Sequence, residues 1–256
     1  MKWTFKLLRS LALYSTAKMI KDRMARYAPG NLRRHREMLE FYAQFVKKGD
    51  LCFDIGANIG SKTAVFLALG ARVICVEPQP SCLQQLYRSF RKNENVVIIG
   101  QAVGGREGYG ELAICEEAPA ISTLSNKWRN EGRFSRNHQW TRTERVPMTT
   151  LDALILSYGL PAFCKIDVEG YEEPVLRGLT RPIPVLSFEF TREFLADAQR
   201  CIDRLLSLGR AEFNCTIGES MTLLFPIWAT ADELYERLDQ PGGELLCGDI
   251  YAKFSP

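Results

Sequence analysis

Apolar and polar positions change rhythm twice along this chain. From residue 3 to 26 the apolar positions Phe5, Leu8, Ala12, Ser15 and Met19 follow the 3–4 spacing of a helix, and Lys2, Lys6 and Arg9 share another face. Pro29-Gly30 closes this arm. A second helical pattern over about 33–46 puts Met38, Phe41, Tyr42 and Phe45 on one side. After Gly49-Asp50 the rhythm becomes strand, turn, helix. Short apolar runs at 51–55, 72–76 and 96–99 alternate with helical patterns at 62–69 and from Ser81, which reads as a helix cap. An irregular section at 100–145 interrupts the alternation, with a hairpin predicted around 110–115. The rhythm then resumes as a helix at 151–158, a strand at 163–168, a helix at 172–179, a strand at 185–190 and a long helix at 192–208. Two last strands are predicted at 212–217 and at a run ending near 251–254. Apolar runs alternating with helices argue for a parallel sheet covered on both faces.

Charge adds one feature to this outline. Lys and Arg number 33 and Asp and Glu 30, too balanced to imply a nucleic-acid partner. Residues 1–36, however, hold ten bases and one acid, so a basic arm of net +9 sits on a body of net −6. The arm is read as a helix packed on the body. Contact of residues 1–26 with a membrane surface, or a dimer element, is the alternative. Charges interrupt every apolar stretch there, so neither a spanning helix nor a secretory leader is predicted. The expected location is cytoplasmic, at most peripheral to the inner membrane surface. The eight cysteines include no CxxC pair and the histidines are only His35 and His138, so reduced thiols are expected and a zinc or His-rich metal site is not.

Two segments carry candidate chemistry. At 54–60, DIGANIG begins at a strand end and opens a helix. Its glycines and Asn58 suit positive φ and close ligand approach. Glu77 ends the next strand, 23 residues after Asp54, where an acid can accept both hydroxyl hydrogens of a ribose. The spacing departs from GxGxxG, and Asp54 sits poorly beside a pyrophosphate but suits an amino or sulfonium cation. An adenosine-containing cofactor follows, with S-adenosylmethionine preferred over a dinucleotide. The second segment, 165–172, reads KIDVEGYE. Lys165 is expected to bridge Asp54 or Glu189, and Asp167 stands at the carboxyl end of a central strand, where open α/β sheets bind ligands. Candidate bases are Asp167, Glu169 and Glu189, with His138 in the polar stretch as a further histidine.

Together with VICVEPQP at 73–80, QAVG at 101–104, ISTLS at 121–125, TLD at 150–152 and VLSFEF at 185–190, these pieces resemble the FkbM family of S-adenosylmethionine-dependent methyltransferases over about 50–190. The resemblance implies an α/β class I methyltransferase fold: a Rossmann-like three-layer sandwich with a seven-stranded, mostly parallel sheet whose last strand is antiparallel. It implies O-methylation of a hydroxyl on a sugar, glycan, polyketide or related metabolite. Asp54, Gly56, Asn58 and Glu77 would hold the cofactor and Ala102 would lie near the adenine. Ala57, Gly60, Pro78, Gln101 and Asp167 complete the expected cofactor set. Residues 1–49 would form a helical arm on a domain of 50–256, with an irregular substrate lid around 104–149. The acceptor is expected to be a small molecule or glycan rather than nucleic acid, with no metal ligand set. The basic-aromatic stretch 126–145 keeps an RNA methyltransferase as the second reading, and a nucleotide-dependent oxidoreductase is the third.

Overall fold

A computed structural model of the protein describes residues 29–239 and 247–255. The arm pattern at 3–26 lies outside the described residues. The first helix among the described residues, α1 (Pro29–Tyr42), starts and stops earlier than the periodicity predicts. Proline is tolerated in a first helical turn, so Pro29-Gly30 opens this helix. After Tyr42 the chain tightens into turns, with the Phe45 and Val46 amides both donating to the Tyr42 carbonyl. That bend still seats Phe45 flat against Phe163 and Tyr251, at ring-centroid distances of 5.5 and 5.2 Å.

The alternating rhythm then builds β1 (Leu51–Ile55), α2 (Ser61–Ala68), β2 (Arg72–Val76), α3 (Pro80–Phe90) and β3 (Val96–Ile99). Ser81 does not cap α3. Gln79 occupies the cap position and Pro80 the first turn, which suits a residue without an amide hydrogen. After a detour come α5 (Leu151–Tyr158), β7 (Phe163–Ile166), α6 (Glu172–Arg177), β8 (Val185–Thr191), α7 (Leu195–Leu206), β9 (Ala211–Cys215), α8 (Ala231–Asp239) and β10 (Cys247–Phe254). A single 3₁₀ turn, Arg192–Phe194, separates β8 from α7. The seven strands lie in the order β3-β2-β1-β7-β8-β10-β9, and β10 is antiparallel to both its neighbours. This is the predicted mostly parallel sheet with an antiparallel last strand.

Strands covered on both faces read as nearly unbroken apolar runs. Alternate residues here serve two cores. Phe53, Ile55, Ile74, Val76, Cys164 and Phe188 face α5, α6 and α7. Cys52, Val73, Cys75, Phe163 and Tyr251 face α1 and α2. The second face also receives Asp54, Lys165, Ser187 and Tyr251, which stand side by side in register across β1, β7, β8 and β10. Polar groups therefore collect on the α1/α2 side of the sheet, toward the carboxyl ends of its parallel strands.

The detour is a second, three-stranded sheet of β4 (Ala102–Val103), β5 (Gly108–Ile114) and β6 (Arg142–Thr149), with α4 (Asn126–Glu131) between the last two. The hairpin expected around 110–115 is not local. Gly108–Ile114 pairs antiparallel with Arg142–Thr149, and Ala113 also bridges Thr123. No helix among the described residues is long and apolar enough to cross a membrane.

Candidate functional site

Three positive-φ residues shape the turn after β1: Gly56, Asn58 and Gly60. A Cβ on Gly56 would lie 1.8 Å from the Asp167 carbonyl oxygen, so only glycine lets the ends of β1 and β7 approach so closely. The turn is tied to its neighbours by backbone bonds. Gly56 and Ala57 donate to the Val76 carbonyl, and Asp167 donates to that of Ile55. The Asn58 amide donates to Glu77 Oε2 and the Gln79 amide to Glu77 Oε1, both at 2.8 Å. Each Glu77 oxygen retains a lone pair for an outside donor.

Above this turn opens a cleft of about 620 Å³, within the range of small-molecule sites. Asp54, Gly56, Ala57, Asn58, Glu77, Pro78, Gln101, Ala102 and Asp167 all line it. Gly60 does not. It precedes α2 and faces Leu86 and Phe90, where a Cβ would clash at 2.4 Å with the Phe90 ring. Its role is packing. Pro119, Ala120, Ser122 and Leu124, which fall inside the irregular 104–149 section, also line the cleft.

Burial shapes the acids. Asp54 is enclosed, and burial raises its pKa above the usual carboxylate range. The 2.6 Å bond donated by Thr63 Oγ1 and the charge of Lys165 oppose that rise. Burial pushes Glu77 up to about 7 despite its two amide donors. Glu172 reaches about 7 by the same cause, while accepting the Val168 and Gly170 amides at 3.1 and 3.3 Å. Glu172 thus braces the loop after β7.

Lys165 is 2% exposed and meets Asp167 Oδ2 at 3.0 Å and Asp249 Oδ1 at 3.1 Å. The expected bridge to Asp54 or Glu189 is not made. The reason is β10, which inserts beside β8 and sets Asp249 opposite Glu189. Burial alone would lower the Lys165 pKa, but the two carboxylates hold it well above its ordinary value. The sequence reading missed Asp249. An acid inside the apolar run of the last strand, on the same parity as Tyr251, was the available signal.

Beyond Lys165, Asp167, Glu169 and Glu189 each bring one carboxylate oxygen within 4.8 Å of the others. Glu169 is held at positive φ, and its carbonyl accepts from Thr123 Oγ1 at 2.7 Å. Burial first, then the neighbouring acids, raises Glu169 and Glu189 well above the carboxylate range. Three acids so close share protons, or give the oxygen donor set that a divalent cation takes.

Most cations of the basic stretch have partners on the protein. Lys127 pairs with Asp197, Arg133 with Glu193 and Arg142 with Glu144, while Arg145 lies over the Tyr109 ring. Trp128 packs on Gly170, and the Trp140 indole donates to the Ile121 carbonyl at 2.9 Å. His138 does not line the cleft. It packs edge-on to Phe134, and its Nδ1 is buried without a partner among the described residues.

The raised acids make a testable statement about stability. A carboxyl whose folded pKa exceeds its unfolded value contributes fully below the unfolded value of about 4.3, and that contribution is lost as pH rises through the folded value. For Glu77 and Glu172 the window runs up to about 7. Thermal melting of the free protein is expected to drop by roughly 5–10 °C between pH 5 and pH 8. A melting temperature that is flat or rises over this range would contradict the assigned burial.

Comparison with known proteins places this geometry in context. The sequence matches the family model described as Methyltransferase FkbM domain over residues 54–209. A hexuronic acid methyltransferase, AglP, from Haloferax volcanii is 23% identical over 188 residues, 73% of each chain. Among solved structures, a precorrin-6y C5,15-methyltransferase from Geobacter metallireducens aligns over 86% of this chain and 87% of its own, with TM-score 0.43 and 14% identity. Aeropyrum pernix fibrillarin, solved with natively bound S-adenosyl-L-methionine, aligns over 81% and 68%, with TM-score 0.39 and 14% identity.

Proposed function

Because the chain belongs to the FkbM methyltransferase family, we propose that it moves a methyl group from S-adenosylmethionine to a hydroxyl of a sugar, glycan or related small metabolite. The observation that carries this reading is the carboxylate trio of Asp167, Glu169 and Glu189 beside a nucleoside-sized cleft that ends on Glu77. When bound, S-adenosylmethionine supplies an electrophilic methyl carbon on a sulfonium. The residues present fit it. Glu77 offers a free lone pair on each oxygen to ribose hydroxyls, and its backbone partners fix its orientation. Gln101 and Ala102 line the side of the cleft where β3 ends, which suits the base. Asp54 and Asp167 set negative charge toward the amino and sulfonium groups, and Gly56 keeps the backbone clear of both.

A hydroxyl is a poor nucleophile until its proton leaves, so the acceptor end needs a base. Glu189 meets that need: its proton affinity is raised, and it borders the cleft next to Asp167 and Glu169. Lys165 works through Asp167, holding that carboxylate in place with a buried charge-assisted bond. The sugar-acting relative from Haloferax volcanii supports a saccharide acceptor over other metabolites. No observation favours RNA, since most of the cations of 126–145 are engaged by local partners.

Glu77→Ala tests the cofactor half. Dissociation of S-adenosylmethionine, followed by calorimetry, is expected to weaken by about 1–3 kcal/mol, the cost of leaving hydrogen-bonding groups unpaired. A folded variant with unchanged affinity would remove Glu77 from the cofactor site.

A further inference from the structure

A second cavity, of about 390 Å³, meets the cleft at Leu124 and Glu189 and extends between α4 and α7. Four of its lining residues are aromatic: Trp128, Tyr171, Phe190 and Phe194. Trp128 and Phe194 stand with centroids 5.8 Å apart, and Tyr171 lies beside them. Two cations line it, and both are engaged. Lys127 Nζ meets both oxygens of Asp197 at 3.0 and 3.1 Å, and Arg200 is bound by Asp197 and Glu173. Two buried polar atoms of lining residues, Thr191 Oγ1 and Trp128 Nε1, have no hydrogen-bond partner among the described residues. At the junction stands Glu189, within 4.8 Å of oxygens of Asp167 and Glu169.

We propose that this second cavity seats the acceptor, and that the acceptor is an uncharged polyhydroxylated ring methylated on a hydroxyl, not on a carboxylate. The inference rests on the methyl-transfer reading and narrows its substrate class. An anionic acceptor finds no unpaired lysine or arginine in this wall, and its carboxylate would enter beside three clustered acids, where like charges repel. A neutral sugar ring fits on every count. Its apolar face packs on the aromatic walls, and its hydroxyls offer partners to Thr191 once that hydroxyl rotates toward the cavity. One hydroxyl reaches Glu189. The acceptor oxygen then bonds the methyl carbon while the carbon–sulfur bond breaks and its electron pair stays on sulfur. The hydroxyl proton passes to Glu189 and from there to solvent. The products are a methyl ether and the neutral thioether S-adenosylhomocysteine. The acceptor so described differs from the hexuronic acid in the name of the Haloferax volcanii relative.

Saturation-transfer NMR on the full chain loaded with S-adenosylhomocysteine tests this, with methyl β-D-glucopyranoside and D-glucuronate as probes at equal concentration. Transfer is expected to the ring protons of the glucoside and to be several-fold weaker for glucuronate. Ala198→Phe, which fills the cavity from α7, should abolish the glucoside signal. Thr191→Val should lower it roughly 2- to 10-fold, the range of one hydrogen bond. Both variants should keep S-adenosylhomocysteine affinity within about twofold. If Ala198→Phe does not fold, Thr191→Val and the glucuronate comparison decide. Equal or stronger transfer to glucuronate, a glucoside signal that survives both variants, or no signal from either sugar overturns the proposal. Failure of the wild-type chain to bind S-adenosylhomocysteine would instead overturn the methyl-transfer reading beneath it.

Discussion

Glu189→Gln is expected to lower turnover by about 10²- to 10⁴-fold, the usual loss when a general base is removed, and to leave S-adenosylmethionine affinity nearly unchanged. The substitution keeps shape and hydrogen-bonding capacity but cannot take a proton. It also removes one charge from a crowded trio, so the variant should melt no lower than the parent. That pairing of lost rate with kept stability is the signature of an acid retained for chemistry. The pH profile carries the same sign. Burial and neighbouring acids raise Glu189 well above the carboxylate range, so the free base is scarce at low pH. Turnover of the parent should climb as pH rises above the ordinary carboxylate range, and this limb should vanish in Glu189→Gln. Asp167→Asn should differ. It breaks the bond to Lys165 and alters the cleft wall, so turnover should drop by about 10²-fold or more with weakened cofactor binding. Wild-type turnover in Glu189→Gln, on an acceptor found by screening glycosides, would transfer the base role to Glu169.

Gly56→Ala is the second change with a large expected effect. The added methyl would lie 1.8 Å from the Asp167 carbonyl oxygen and 2.8 Å from its carbon, at a backbone φ of +76°. Neither atom belongs to a flexible side chain. The ends of β1 and β7 must therefore separate, which also disrupts the hydrogen bond that the Asp167 amide donates to the Ile55 carbonyl. A loss of about 4 kcal/mol or more is expected, the range reserved for backbone strain and broken core contacts. Thermal melting and circular dichroism measure the stability, and calorimetry the cofactor. Gly49→Ala is the control: φ is +89° there, but no atom lies within 4 Å of the added carbon, so only the conformational term, about 1 kcal/mol, applies. Equal effects at the two positions would show that crowding at Asp167 does not matter.

What could be read from the residues alone follows from which interactions are local. β1, β2 and β3 repeat at short intervals with their helices, and each strand is apolar because both its faces are covered; that much of the main sheet was visible as rhythm. The turn at 54–60 announced its positive φ through glycine and asparagine. The small sheet gave no such signal, because β5 is polar at its start and finds its partner β6 only after α4 and a long loop. Asp249 was missed for a related reason. It reaches Lys165 only because the last strand turns back antiparallel between β8 and β9, a pairing that no spacing in the chain encodes. The second cavity is similarly a product of packing, since Trp128 comes from a segment far along the chain from Thr191 and Ala198. The helix at Ala231–Asp239 was overlooked although its pattern is amphipathic.

The pairing of β1 with β7 bears on how the chain is made. Ile55 and Ile166 are register partners in the centre of the sheet, yet roughly 110 residues of synthesis separate them. At 5–20 residues per second, a ribosome needs about 5–20 s to cover that distance. During this interval the nascent β1–β3 unit presents an unpaired apolar edge and the solitary acid Asp54, with neither Lys165 nor α6 yet available to cover them. Such an edge invites pairing with another nascent chain. Production should therefore be unusually sensitive to translation speed within residues 100–165, and slowing codons placed there should raise aggregation even though the finished protein is unchanged.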